Sequence, residues 1–365
     1  MVRPLKTINN QRRIKKMQKA KEYQTINYQS DGTTVESIIE FNPSTGKKVK
    51  TINYQSDGTI YSIIEFNPST GKRVKATIFQ QDGTTVESII EFDPSTGEEV
   101  KTTTYQSDGK TINFIEEFDP STGEPVKTIN YRSDGKTIKI INEYDPSTGE
   151  PVKTINYRSD GTIYSISEFD PNTGKQVKTT DYRSDGTTVD YISEFNPTTC
   201  KKVKTINYQS DGTIYSIIEF NPSTGKRVKA TIFQQDGTTV ESIIEFDPST
   251  GEEVKTTTYQ SDGKTIWYIN ECDPQTGRPT KQTEFKSDGK TIDVIEEYDL
   301  QTGNLIKITY FHLNSKTIDY IREHDPQTGK IIKDIFYNQD GSISSIEEYD
   351  EDDDDHECNC EYCDQ

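Results

Sequence analysis

A unit of 25 or 26 residues recurs about thirteen times in this chain, typified by residues 51–75, TINYQSDGTIYSIIEFNPSTGKRVK. A repeat that short is one supersecondary module, and it can bury surface only against copies of itself. Two glycine series mark the period. Gly32, Gly58, Gly83 and their successors mostly close a Gln/Ser-Asp-Gly turn, whereas Gly46, Gly71, Gly97 and theirs close Asn/Asp-Pro-x-Thr-Gly. Asp-Gly supplies the backbone of a tight hairpin, and proline presets a turn that a downstream glycine exits. The segments between turns run about seven to nine residues and are rich in Thr, Ile, Val, Tyr and Phe, as strands are. Each repeat therefore reads as two strands and two turns.

The turns also predict register. With Asp57-Gly58 as a two-residue loop, residues whose numbers sum to 115 face one another: Tyr54 with Tyr61, Ile52 with Ile63, Lys50 with Glu65, and Val49 with Phe66. The longer repeat adds Lys110 beside its loop, as in a three-residue loop with a bulge, and still sets Lys101 against Glu117. Comparing copies separates constant positions from variable ones. The residue before each Asp-Gly turn is Tyr or Phe throughout, so it reads as ladder and core. The position expected to face that ring changes freely: Glu36, Tyr61, Asn113, Lys139, Asp190, Trp267, Asp293. Variation on a regular ladder fits either tolerated surface or a recognition face. On the second reading Tyr61, Asn113, Lys139, Asp190, Trp267 and Asp293 form the candidate interaction face.

Composition favours an extended structure over a compact globule, since only 29% of residues are hydrophobic and only four are leucine. The expected fold is all-β: tandem antiparallel hairpins forming a long twisted meander or β-superhelix of solenoid type, with a closed barrel or propeller second. Strand twist accumulates and prevents so many strands from lying flat. Residues 47–112 and 201–266 are identical over 66 positions (112 − 47 + 1), including positions that vary elsewhere. That identity points to recent duplication and a fluid copy number, which suits a displayed surface better than one registered catalytic site.

The pattern Thr-Ile-x-Tyr-x-x-Asp-Gly-Lys-Thr-Ile-x-x-Ile-x-Glu-Tyr/Phe-Asp-Pro-x-Thr-Gly-x-x-Val/Ile-Lys, seen for instance within 280–350, resembles the tandem repeat of a domain-of-unknown-function family of phytoplasmas. The resemblance covers roughly residues 23–350. It implies a mollicute source and brings no catalytic or binding residues with it. The Tyr-x-x-Asp-Gly spacing is also similar to tyrosine-aspartate repeats of bacterial toxin shells, which implies coiled hairpin arrays.

Three segments follow: a basic arm over 1–22 with helix-forming capacity, a β-hairpin repeat array over 23–350, and an acidic cysteine-containing tail over 351–365. Residues 1–22 carry eight Lys or Arg against Glu22, whereas 347–365 carry eleven acids and no Lys or Arg. The arm suits anionic lipid or nucleic acid, while the acidic body argues against general nucleic-acid binding. With no apolar h-region after the basic head and no run of eighteen apolar residues, the chain reads as cytoplasmic as given, with export to a host left open.

Within the tail, His356, Cys358, Cys360 and Cys363 have ligand chemistry suited to zinc, although four ligands inside eight residues do not readily close a buried tetrahedron. Cys200 stands where a turn glycine belongs and Cys272 where a strand aromatic belongs. Gly109-Lys110-Thr111 resembles the end of a phosphate loop, but it lies in a hairpin and lacks the preceding glycine. No nucleophile motif accompanies His312, His324 or His356. The expectation is thus a non-enzymatic scaffold without a cofactor, binding one or more protein partners through its β surface. The alternatives are a metal-responsive protein acting through the tail cluster, or a calcium-stabilised array.

Overall fold

The computed structural model describes residues 23–312 and 317–349. The basic arm, the acidic tail and its His/Cys cluster lie outside these residues. Twenty-six strands, β1 (Gln24–Tyr28) through β26 (Ile343–Glu348), account for the regular structure among the described residues. The chain divides into two units between Thr187 and Thr188. The first holds β1 to β13 (Gln176–Tyr182), and the second holds β14 (Val189–Phe195) to β26. Within each unit every strand contacts only its neighbours in sequence, all antiparallel, so each is an unclosed meander one layer thick. The all-β repeat meander expected from the sequence is what forms.

Register follows a row of alternating charge. In the first unit Glu40 faces Lys50, Lys50 faces Glu65, Glu65 faces Lys75, and the alternation continues to Glu168 and Lys178. In the second unit the same row runs from Glu194 and Lys204 to Lys333 and Glu348. Each interior lysine thus lies between two glutamates. Ion pairs close at 3.3 Å between Lys178 and Glu168 and at 3.1 Å between Lys307 and Glu297. At this exposure such a pair contributes roughly 0.2–1 kcal/mol. Its larger effect is on register, because a one-residue slip would move every lysine to the other face.

Two residues along each strand from the charged row lies a second row on the same face, made of Ile and Thr. Buried members of this row include Thr103, Thr257 and Thr283, each 7% exposed, and Ile141, 9% exposed. They lie between the Lys/Glu stems on one side and the rings that precede the Asp-Gly turns on the other, and long side chains of this kind cover apolar neighbours well. This stripe is one side chain thick, and Ala76 and Ala230, each 5% exposed, are buried on the opposite face. Those rings stay half-buried, as Tyr54 and Phe79 do, because no second layer covers them. On the opposite face small polar residues are enclosed, and the hydroxyl of Ser62, 2% exposed, accepts from Asn53 Nδ2 at 2.8 Å.

The Asp-Gly loop is not the two-residue hairpin expected from the sequence. Gly58 N–H donates to the Gln55 carbonyl at 3.0 Å, and Gln55 N–H donates to the Thr59 carbonyl at 2.8 Å. The turn therefore spans Gln55 to Gly58 with Ser56 and Asp57 at its centre, and of these four only Gly58 has positive φ, +87°. That is the type I sense rather than type I′. Asp57 fixes it by accepting the Thr59 N–H at 2.9 Å and the Thr59 hydroxyl at 2.6 Å. As a result Tyr54 pairs with Ile60, not with Tyr61, which sits unpaired in a bulge. The pairs of Ile52 with Ile63, Lys50 with Glu65, and Lys101 with Glu117 stand as expected. Gly109-Lys110-Thr111 lies in the corresponding turn between β7 (Glu99–Tyr105) and β8 (Ile112–Phe118).

The other turn is a five-residue α-turn in which Gly71 N–H donates to the Asn67 carbonyl at 2.7 Å and Asn67 Oδ1 accepts from Ser69 N–H at 2.8 Å. Cys200 occupies the glycine position with φ +58°, which a side chain rarely adopts without cost. Turns of successive repeats bond to one another. Thr45 Oγ1 donates to the Pro68 carbonyl and Lys72 Nζ to the Thr96 carbonyl, each at 3.0 Å, while Gln106 Nε2 donates to the Ser133 carbonyl at 3.1 Å.

Candidate interaction face

The variable residues are the bulge residues, one at the start of each even-numbered strand wherever its register with the preceding strand is described. The bulge re-aims a side chain out of the ladder, as bulges beside turns do. Tyr61, Tyr164 and Tyr215 are each 51% exposed and Trp267 is 49% exposed. Glu36, Asn113 and Lys139 are exposed as well, whereas Asp190 and Asp293 are partly buried. The six residues proposed from the sequence thus hold equivalent positions at the Asp-Gly end of their hairpins: three of them in the first unit and three in the second.

What the sequence reading missed is that this position has a partner. In three repeats the residue just after the constant ring contacts the bulge residue. Arg158 lies over the Tyr164 ring, 5.2 Å from its centroid; Lys286 Nζ meets Asp293 Oδ1 at 2.8 Å; His312 Nδ1 meets Asp319 Oδ1 at 3.1 Å. Three chemistries, cation over ring, ammonium with carboxylate, and imidazole with carboxylate, thus fill one geometric slot. The signal was present as two varying columns either side of the turn, but recognising their contact requires the bulge. Trp267 instead packs edge-on against Tyr268, centroids 5.2 Å apart, and donates from Nε1 to Glu284 at 3.3 Å. Its ring stays half in solvent, held by two neighbours.

The second unit carries the densest aromatic patch. Tyr310 and Tyr320 stack at 4.2 Å, and Tyr320 and Phe336 at 5.7 Å. The Lys286–Asp293 and His312–Asp319 pairs flank Tyr310 and Tyr320 in a shallow groove. Beside the stack Arg322 grips Asp334 through Nε at 3.0 Å and Nη2 at 2.9 Å, and the Tyr349 hydroxyl donates to the same carboxylate at 3.1 Å. Asp334, 2% exposed, is the most deeply buried of the larger side chains among the described residues. Burial and the Asp334 carboxylate push the Tyr349 hydroxyl up to about 12.

The turn aspartates do hydrogen-bond work. Asp108 Oδ1 accepts from the backbone of Lys110 at 2.9 Å and of Thr111 at 2.8 Å, and Oδ2 accepts the Thr111 hydroxyl. The Thr111 hydroxyl, then its backbone N–H, hold that carboxyl down to about 2. Among the described residues no three His, Cys, Asp or Glu gather as a metal would require, and no helix is long and apolar enough to cross a membrane.

A family model described as a protein of unknown function, DUF2963, matches residues 28–78, 79–130, 131–181, 182–232, 233–284, 259–310, 285–333 and 311–356. The chain belongs to this family. A typical match spans two of the short repeats, so the family unit is a pair of DUF2963 hairpins. No curated protein matches the chain. Among solved structures, that of TarM is similar over 39% of this chain and 23% of its own, at 11% identity and a TM-score of 0.19. That of TcdB2-TccC3-TEV is similar over 89% and 18%, at 12% identity and a TM-score of 0.20. The chain spans less than a quarter of the length of either.

Proposed function

We propose that this DUF2963 array is a non-enzymatic scaffold that binds protein partners through the hairpin-end column of bulge residues. One observation carries the reading. Charged and Ile/Thr rows that barely change hold the backbone, while the exposed bulge side chain runs through Tyr61, Asn113, Lys139 and Trp267. Exposed Tyr and Trp on a rigid support are the side chains that most often anchor protein contacts. On this view the repeats supply geometry and the column supplies specificity, directed toward a host if the source is a phytoplasma.

The test uses the full chain and a variant with Tyr61, Tyr164, Tyr215 and Trp267 replaced by serine. All four are about half exposed, so the fold is retained. Affinity capture from host and bacterial lysates, followed by titration of each retained protein, reads the outcome. Partners held by the parent and lost by the variant support the reading, and partners held equally by both place binding elsewhere on the chain.

A further inference from the structure

The first and last strands of the described array complement one another, and we infer that the chain associates head to tail, β26 of one copy pairing with β1 of the next. Among the described residues β1 contacts only β2 (Val35–Phe41), and β26 contacts only β25 (Ile331–Tyr337). Each therefore presents a row of backbone N–H and C=O groups, the arrangement that recruits another strand. Both also expose apolar side chains: Ile26 at 44% and Tyr28 at 51% on β1, Ile343 at 54% and Ile346 at 50% on β26. Their counterparts on interior strands, Ile38 and Ile52 among them, face one another and are half-buried.

The register of the junction is already written in the repeat. β2 meets β3 (Lys48–Tyr54) by setting Ser37 against Asn53, Ile38 against Ile52, Ile39 against Thr51 and Glu40 against Lys50. Placing β26 and an incoming β1 in the same phase sets Ser345 against Asn27, Ile346 against Ile26, Glu347 against Thr25 and Glu348 against Gln24. The isoleucine and Ser/Asn pairs are reproduced, and each glutamate meets a hydrogen-bond donor. No like charges oppose each other across the junction.

Charge outside the strands points the same way. Residues 1–22 precede the Gln24 end of β1 and carry a net +7, eight bases against Glu22; residues 350–365 follow the Glu348 end of β26 with nine acids and no Lys or Arg. In the proposed register those two ends meet, so each junction draws a basic segment to an acidic one. Opposite charge of this size steers association and weakens with salt. The contact uses different surfaces on the two copies, so repeated addition gives open chains.

Sedimentation velocity over a concentration series tests this with three full-length proteins. The parent is expected to form species that grow with concentration and shrink at high salt. Ile26→Lys and Ile346→Lys, each altering one exposed edge residue, are expected to remain single chains alone. Mixed in equal amounts they are expected to form a species of twice the single-chain mass and no larger, because each retains the edge that the other lacks. That mixture also reports folding, since an unfolded variant could not complete the pair. A parent that stays a single chain at every concentration, a single variant that assembles like the parent, or a mixture that remains single chains overturns the inference.

Discussion

Replacing Gly83 with alanine, and Gly58 with alanine beside it, isolates the contact between successive turns. Both glycines lie at positive φ, +69° and +87°, so both substitutions incur the left-handed penalty of about 1–2 kcal/mol. Their surroundings differ. A Cβ on Gly58 would meet nothing within 4 Å, whereas on Gly83 it would lie 2.7 Å from Thr59 Cβ and 2.8 Å from Ile60 N, the turn of the preceding repeat. Backbone cannot swing aside as a side-chain tip can, so overpacking there adds about 1–3 kcal/mol. Gly83→Ala is therefore expected to cost about 2–5 kcal/mol and Gly58→Ala about 1–2 kcal/mol. The duplicated segment repeats the experiment, because a Cβ on Gly237 would lie 2.6 Å from Thr213 Cβ while one on Gly212 would meet nothing within 4 Å. Arrays of this kind need not unfold in one step. Native-state hydrogen exchange at the altered repeat is accordingly the assay, with urea midpoints as a check. Equal losses at Gly58 and Gly83, or at Gly212 and Gly237, would refute turn-to-turn packing as a source of stability.

Cys200→Gly is expected to stabilise the chain by about 1 kcal/mol, read as a higher thermal midpoint, because it removes a left-handed side chain at φ +58°. Asp334→Ala strands the Arg322 guanidinium and the Tyr349 hydroxyl. It is expected to cost about 2–4 kcal/mol, somewhat under the fully buried case because Arg322 is 28% exposed, and urea denaturation measures it. Lys75→Glu sets three carboxylates in a row across Glu65, position 75 and Glu91; the expected loss is about 1–2 kcal/mol, diminishing as salt is raised in a denaturation series. The turn aspartates give an acid limb. Their carboxyls, at about 2 for Asp82, Asp108 and Asp262, lie below the unfolded value near 4, so their contribution is complete above pH 4 and lost as pH falls through 2. Circular dichroism melts from pH 5 to pH 2 should show the midpoint falling across that window, and the opposite trend would contradict the turn geometry.

How much of this was legible before the structure depended on residue type. Lys50 with Glu65 and Lys101 with Glu117 could be read because opposite charges recur at a fixed distance from punctuated turns. Tyr54 with Tyr61 was misread. Asp-Gly is a strong type I′ signal, but the Asp57 carboxylate captures the Thr59 N–H and moves the turn one residue toward the N-terminus, leaving the bulge to absorb the shift. The pairing of Lys286 with Asp293 hangs on that bulge, and so could not be derived from periodicity. The rings were expected in a core, and their constancy was real. Its cause is instead a single exposed layer in which Tyr54 or Phe79 shields one side of an Ile/Thr row. The six candidate positions are equivalent in the array, but the contact that three repeats make across the bulge was not readable from them.

The two loop lengths have a consequence for how such an array can change. Repeats of 25 and 26 residues differ only between the turn glycine and the following strand, and both deliver lysine opposite glutamate. Alignment is thus keyed to the charged row and indifferent to loop length. An in-frame crossover between any two repeats, long or short, yields a chain in which every new neighbour is still a lysine beside a glutamate. Gain or loss of whole units leaves no mismatched seam, which is how 66 residues could be copied intact into a second place and be at home there.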